Sequence, residues 1–234
     1  MHDVNQFGQP VGVALGAWAP PAMPSPTGLT GDLVQLEPLD RRLHTDGLFA
    51  AFAEASPSLW TYMAIGPFQN PEELTSALDA MTGHSDRQPY AITLDSKPVG
   101  FASYLRVDQQ SGVLEIGSIA FSPSLQRTTA ATEALYLMID HCFDLGYRRC
   151  EWKCDDLNAP SRSAAERLGF LYEGTFRQAT HYKGRNRDTA WFAITDADWE
   201  KLRPAFKNWL SADNFVEGGG QRRSLRELAE DAHR

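Results

Sequence analysis

The run Val113–Phe121 carries one carboxylate, Glu115, in a stretch with strand periodicity. Side chains two residues apart share a face of a strand, which groups Glu115 with Val113, Gly117, Ile119 and Phe121. A carboxylate on an apolar face is poorly solvated, and its pKa should rise, as a general base at neutral pH requires. Asp155, Asp156, Glu151 and Glu173 are rival acids, and a water chain without a single base is a further alternative.

Two other groups of residues accompany Glu115. The strand runs through Ser122 and Pro123 into a turn, and a helix opens near Thr129. A strand-to-helix turn aims several free N–H groups at one point with the helix dipole behind them, which makes a pyrophosphate site. Close approach of phosphate to backbone requires small side chains. Thr128, Thr129, Ala130, Ala131 and Thr132 supply them, and Arg127 adds a cation. Further on, Asn158 and Ser161 open another helix; alone, they read as caps. Trp60, Trp152 and Trp191 are candidate walls of a substrate pocket, with Tyr62, Met63 and Phe68 nearby, able to hold a cation or an amide plane. Lys183, Arg185 and Arg187 cluster in a polar turn suited to an acidic substrate or partner. The six histidines do not fall at metal spacing, and no metal site is expected. Cys142, Cys150 and Cys154 show no zinc pattern; the last two, four residues apart in a strand, lie roughly 13 Å apart and cannot bridge.

The elements that must position these residues can be read from periodicity. Strands are expected over 33–39, 90–94, 98–107, Val113–Phe121, 149–154, 170–182 and 189–195. Helices are expected over 40–55 with Asp40 as N-cap, from Asn70–Pro71 onward, over 129–145 ended by Gly146, over 161–168 closed by Gly169, and over 197–210. Tight turns at Asp95–Lys97 and over 183–188 make two hairpins. This order predicts an α/β (α+β) fold with a mixed sheet and helices on both faces, and it is not a Rossmann alternation. Residues 1–28, rich in Gly, Pro and Ala, read as an arm; 29–212 as the domain; 213–234, with its glycines and a short charged helix over 224–233, as a tail.

With 234 residues and 42% hydrophobic content, the chain suits one well-buried domain with extensions. It has no eighteen-residue apolar run and no basic leader, so no membrane partner is expected and a cytoplasmic protein is. A net charge of −8 argues against a nucleic-acid partner.

The segment Gln126, Arg127, Thr128, Thr129, Ala130, Ala131 resembles the acyl-CoA pyrophosphate loop of the GNAT acetyltransferase superfamily, Q/R-x-x-G-x-G/A, with Thr129 where glycine is usual. Asn158 through Ser161, followed by Gly169 and Phe170, is similar to the Asn-x-x-Ser … Gly-Phe signature of its ribosomal-protein N-terminal acetyltransferase subgroup. The resemblance covers roughly residues 29–200. It implies a mostly antiparallel, twisted sheet with a splayed central strand pair, acetyl-CoA or another acyl-CoA as co-substrate, and direct transfer to a small-molecule amine or peptide N-terminus. It further implies that Ser118, Ile119, Ala120 and Phe121 pair with the pantetheine arm and offer an amide to the thioester carbonyl. By the same resemblance Asn158 holds the arm, Ser161 acts as acid toward the thiolate, and Glu115 is the base. The tyrosine many members place before the Gly-Phe pair is Ala165 here. A non-catalytic acyl-CoA sensor on the same fold is the alternative function, and the arm is compatible with a homodimer.

Overall fold

The computed structural model describes residues 2–217 and 219–232, so His233, the last residue of the helix expected over 224–233, lies outside the described residues. A separate small hairpin, β1 (Asp3–Val4) and β2 (Pro10–Val11), precedes the body. The body then runs β3 (Leu29–Thr30), β4 (Gln35–Pro38), α1 (Arg41–Ala53), α2 (Pro71–Thr82), β5 (Gln88–Leu94), β6 (Lys97–Asp108), β7 (Val113–Phe121) and α3 (Thr129–Asp144). It continues with β8 (Arg149–Asp155), α4 (Ala159–Arg167), β9 (Leu171–Tyr182), β10 (Arg185–Thr195), α5 (Asp196–Leu210) and α6 (Leu225–Ala232). Among the described residues no helix is long and apolar enough to cross a membrane.

Local chemistry sets the element ends. The Asp40 carboxylate accepts from the Arg42 amide at 2.8 Å, and Asn70 Oδ1 accepts from the Glu73 amide at 2.9 Å. Thr195 and Asp198 form a reciprocal capping box at the start of α5. Asp95 and Ser96, both at positive φ, close the β5–β6 hairpin in the left-handed geometry that matches strand twist. The second hairpin is tighter than expected. Its turn is Lys183–Gly184, both at positive φ, and β10 already begins at Arg185. Polar residues 185–188 were expected in the turn, yet they lie in the strand; Arg185 and Asn186 are exposed and Arg187 and Asp188 half-buried, and at such a hairpin polarity does not oppose a strand.

Eight strands form one sheet in the order β3-β4-β5-β6-β7-β8-β10-β9. Every neighbouring pair is antiparallel except β7 and β8, which run parallel and pair only at Val113–Arg149, Leu114–Cys150 and Glu115–Glu151. Past Glu115 the two strands part. The main core lies between the sheet and α3 with α5, around Leu114, Ile116, Met138, Cys150, Phe192 and Phe206. A second core lies on the other face under α1 and α2, around Leu48, Phe52, Trp60, Leu74 and Phe101. The three cysteines are buried thiols.

Both ends of the chain are held to this body. Trp18 Nε1 donates to Gly146 O at 3.2 Å, its ring lies under the Arg148 guanidinium, and Tyr147 Oη donates to Ala22 O at 3.0 Å. At the other end, Leu225 of α6 is buried in the main core and Trp209 Nε1 donates to Gln221 Oε1 at 2.9 Å.

One buried carboxylate joins α3 to the sheet edge. Glu133 accepts from the amides of Asp32, Leu33 and Val34 at 3.0, 2.7 and 2.9 Å, and so fixes the β3–β4 turn. Removing it leaves three amides short of a partner, at least one of them buried. Glu133→Ala should therefore cost about 3 kcal/mol in urea denaturation, and Glu133→Gln, with one acceptor oxygen, should recover only part of that. A loss below about 0.5 kcal/mol in the alanine variant would mean that the turn finds its partners elsewhere.

Candidate active site

The parting of β7 and β8 creates the site. A β-bulge sits in β7 at Ser118, where φ is +47° and the pairing with β6 shifts between Gly117–Ser103 and Ala120–Phe101. The bulge turns the strand away from β8 and re-aims its backbone toward the gap. It also changes which residues share a face. Ile119 and Phe121 were grouped with Glu115 by strict alternation, but they pack toward the main core, whereas Ala120 joins the core under α1 and α2. A one-residue slip reverses every following side chain.

Each parting strand leads to a helix N-terminus. β7 continues through Ser122 to Thr128, which caps α3: its hydroxyl accepts from the Ala131 amide at 3.1 Å and donates to Leu125 O at 2.7 Å. The Thr129 and Ala130 amides are the first two of the helix and have no partner within it. Gln126 Nε2 donates to Phe121 O at 2.7 Å, and Arg127 adopts φ +61°, so the loop 126–131 is a folded turn with Gln126 and Arg127 exposed. Ala130 and Ala131 are buried and small. β8 leads to α4, which Asn158 caps by accepting from the Ser161 amide at 3.2 Å. The gap, the bulged backbone and the small-residue helix start fit an extended thioester ending in a pyrophosphate.

Ser161 lies in the first turn of α4, and its Oγ accepts from Trp152 Nε1 at 3.0 Å. The hydroxyl hydrogen therefore remains available to another group. Beside it is Cys154, whose thiol pKa is raised by burial and lowered in smaller measure by the Ser161 hydrogen bond.

On the other face of the parting strands, Glu115 is 6% exposed. It is less apolar in its surroundings than expected. Lys153 Nζ lies 2.5 Å from its Oε2, and Arg106 Nε approaches the same oxygen at 4.0 Å. Burial pushes the Glu115 carboxyl above its ordinary range, and Lys153, then Arg106, oppose that shift without cancelling it. The rival acids are committed elsewhere. Asp155 accepts from Tyr182 Oη at 2.6 Å and from the Leu157 amide at 2.9 Å. Asp156 pairs with Arg162 and accepts from Thr175 Oγ1. Glu151 and Glu173 share Arg149, which holds the Glu173 carboxyl below its ordinary range.

The three tryptophans separate. Trp60 is buried in the second core, edge-on to Phe52 and Phe68, and offers the cleft side only its carbonyl. Trp152 faces the main core against Phe170. Both rings are used in core packing. Trp191 alone lies with Glu115: Lys153 Nζ stands 4.6 Å and the Arg106 guanidinium 5.3 Å from its ring centroid. Lys183, expected to meet an acid, instead donates to Trp60 O at 2.7 Å and Ile65 O at 3.5 Å, tying the β9–β10 hairpin to the segment between α1 and α2. Sequence reasoning missed Lys153 and Arg106. Lys153 sits two residues from Glu151 in β8, so strand parity alone aligns it with that face; Arg106 is aligned by a bulge that leaves no sequence signal. Among the described residues no cluster of three or more potential metal ligands occurs.

Residues 52–170 match the model of the acetyltransferase (GNAT) family. A GCN5-related N-acetyltransferase from Brucella melitensis is 41% identical with a TM-score of 0.89, covering 92% of this chain and 100% of that one. This chain belongs to the GNAT acetyltransferase family. An uncharacterized N-acetyltransferase, p20, of Bacillus licheniformis is 25% identical over 151 residues, 62% of this chain and 84% of that protein. An acetyl transferase of Salmonella typhimurium that modifies the N-terminal serine of the 50S ribosomal subunit protein L7/L12 shares the fold at 20% identity and a TM-score of 0.63, over 72% of this chain and 99% of that one. The chain is thus an acyl-CoA-dependent N-acetyltransferase by family.

The Ser161–Trp152 contact has a stability consequence separate from any chemistry. Ser161→Ala strands a buried indole N–H and should lower unfolding free energy by about 1–2 kcal/mol, with a change in tryptophan fluorescence of the folded state. An unchanged midpoint and spectrum would show that water replaces the hydroxyl at no cost.

Proposed function

We propose that this protein moves an acetyl group from acetyl-CoA to a primary amine bound on the Glu115 face, by direct attack across the gap between β7 and β8. The observation that carries this reading is a buried glutamate with a raised pKa at the last rung before the strands part.

Bound acetyl-CoA supplies an electrophilic carbonyl and a thiolate leaving group. The chain's own residues do the rest. Thr129 and Ala130 amides with Arg127 hold the pyrophosphate, and the backbone of Ser118, Ile119, Ala120 and Phe121 pairs with the arm, an amide there stabilising charge on the carbonyl oxygen. Asn158 orients the thiol end. An acceptor arriving as an ammonium gives one proton to Glu115; its nitrogen then forms the C–N bond as the C–S bond breaks. The sulfur takes a proton from Ser161, which is reprotonated through water by the second proton leaving the new amide nitrogen, and Glu115 returns its proton to solvent. Trp191 lines the acceptor side. The fold shared with the Salmonella typhimurium enzyme supports a protein N-terminus as one acceptor class, and small amines as another.

The decisive experiment is a thiol-release assay with acetyl-CoA. Glu115→Gln should lower kcat by about 10²–10⁴-fold while acetyl-CoA affinity by calorimetry stays within a few-fold. Activity equal to the parent would remove Glu115 from the chemistry and favour a water chain.

The pH profile gives a second check with a defined sign. A base works only when deprotonated, so kcat/KM should rise with pH through the raised Glu115 pKa. Lys153 lowers that pKa, and Lys153→Met should therefore move the acid limb to higher pH. An acid limb that stays in place or moves down would mean that another group controls it.

A further inference from the structure

The acceptor face of this cleft has more donors than the protein itself can satisfy. Arg106 and Lys153 share one carboxylate, Glu115. The other acids on that side are held by other partners: Glu151 by Arg149, together with Glu173, and Asp155 by Tyr182. Arg106 keeps 60% of its side chain exposed, and its Nε approaches Glu115 only at 4.0 Å. Its aim is built into the strand. The β6–β7 register shifts between Leu105–Glu115 and Asp108–Val113, and Arg106 adopts φ +49°, a bulge at a residue for which that conformation is costly. Bulges at Arg106 and Ser118 thus bracket Glu115 on neighbouring strands.

A third donor joins the two cations. Trp191, whose ring both cations touch, has a buried indole N–H with no partner. Buried N–H groups are nearly always satisfied, so this one is a donor still free to take an oxygen atom. Phe176, 58% exposed, packs at 4.8 Å against the same ring and shields that side from water. Two cations on one carboxylate, the Arg106 guanidinium largely exposed, and an unfilled N–H, all next to a buried base, make an anion site contiguous with the place of the amine.

Building on the transferase reading above, we infer that the acceptor is a primary amine bearing a carboxylate close to its nitrogen, read by Arg106, Lys153 and the Trp191 N–H. Arg106 lies within 4.0 Å of the base that faces the amine, so the carboxylate it reads is one close to that amine, as in an amino acid. Polyamines, which place a second cation where this site already has two, are disfavoured. The carboxylate has two possible sources: a free amino acid, or the side chain of an acidic first residue in a peptide.

The test is a thiol-release assay at constant pH and fixed acetyl-CoA. It pairs glycine and serine with glycinamide and serinamide, Asp-initiated with Asn-initiated tripeptides, and adds spermidine. The carboxamide's less basic amine is more often neutral, so intrinsic reactivity favours the amide, and a carboxylate preference must come from the site. The expected result is a kcat/KM about 10–100-fold higher for the carboxylate member of one pair; the pair that shows it identifies the source. Arg106→Met should bring that ratio close to one, chiefly through KM, and Arg106→Lys should retain part of it. Equal or higher kcat/KM for both amides, or for spermidine, overturns the inference while leaving the transferase reading standing. Acetyl-CoA binding without thiol release for any acceptor overturns both. Should Arg106→Met fail to fold, the wild-type ratios and Trp191→Phe, which removes only the N–H donor and part of the ring, decide the matter.

Discussion

The fold depends on three rungs of parallel pairing between β7 and β8. Every buried backbone N–H and C=O must find a partner, and neighbouring strands normally satisfy this along their length. Here the pairing stops at Glu115–Glu151, and each strand continues alone toward its own helix. The backbone left unpaired across the gap has the donors and acceptors of a sheet edge in the middle of a sheet, where an extended ligand can complete the ladder. The same separation places the start of α3 on one side of the gap and the start of α4 on the other. Gap, phosphate site and thiol-end residues are therefore one geometric consequence, not three separate features.

The gap stays open at one end because it is fixed at the other. Gly112 O accepts from the Arg148 and Arg149 amides at 2.8 and 3.2 Å, just ahead of the first rung. Gly112 has φ +66°, and a Cβ there would come within 2.6 Å of the Trp18 ring. The arm thus lies directly over the closed end, held also by Gln109 Nε2 donating to Pro21 O. Glu133 braces the other flank through the β3–β4 turn. A cleft cut into a sheet reduces its pairing, and these contacts restore rigidity at the positions where the parting strands still meet.

Much of this was legible in the sequence, and the division has physical reasons. Asp40, Asn70 and Thr128 act through their own neighbours, so local pattern located them or the helices they open. Strand β7 was placed to the residue because Pro123 and the glycine and polar residues before Val113 bound it. Bulges were not legible. Ser118 and Arg106 are unremarkable residue types, and their positive φ is imposed by pairing with distant strands. Strict alternation consequently put Ile119 and Phe121 on the wrong face. The core packing of Trp60 and Trp152 was not legible for a related reason: a tryptophan reads alike in a core and in a pocket, and tertiary packing decides. The polar run 185–188 was read as turn because water-exposed strand and turn share a composition. The segment past residue 213 looked detached by its glycines and charge, although one side chain, Leu225, seats it in the main core.

The Glu115 environment shows two opposing requirements met in one place. A general base needs a raised pKa, which burial provides, but a buried unpaired carboxylate is destabilising and would protonate. A close cation holds the charge in place and reduces the basicity. Lys153 at 2.5 Å supplies the hold, and its ammonium also lies over the Trp191 ring. Because burial outweighs the cations, the carboxyl keeps a raised pKa while remaining chargeable. An anionic group arriving beside Arg106 and Lys153 would draw off part of their field and raise the basicity of Glu115 further. The acceptor's own ammonium acts in the opposite sense on the same carboxylate, so the anionic group offsets the loss of basicity that the arriving amine imposes on Glu115.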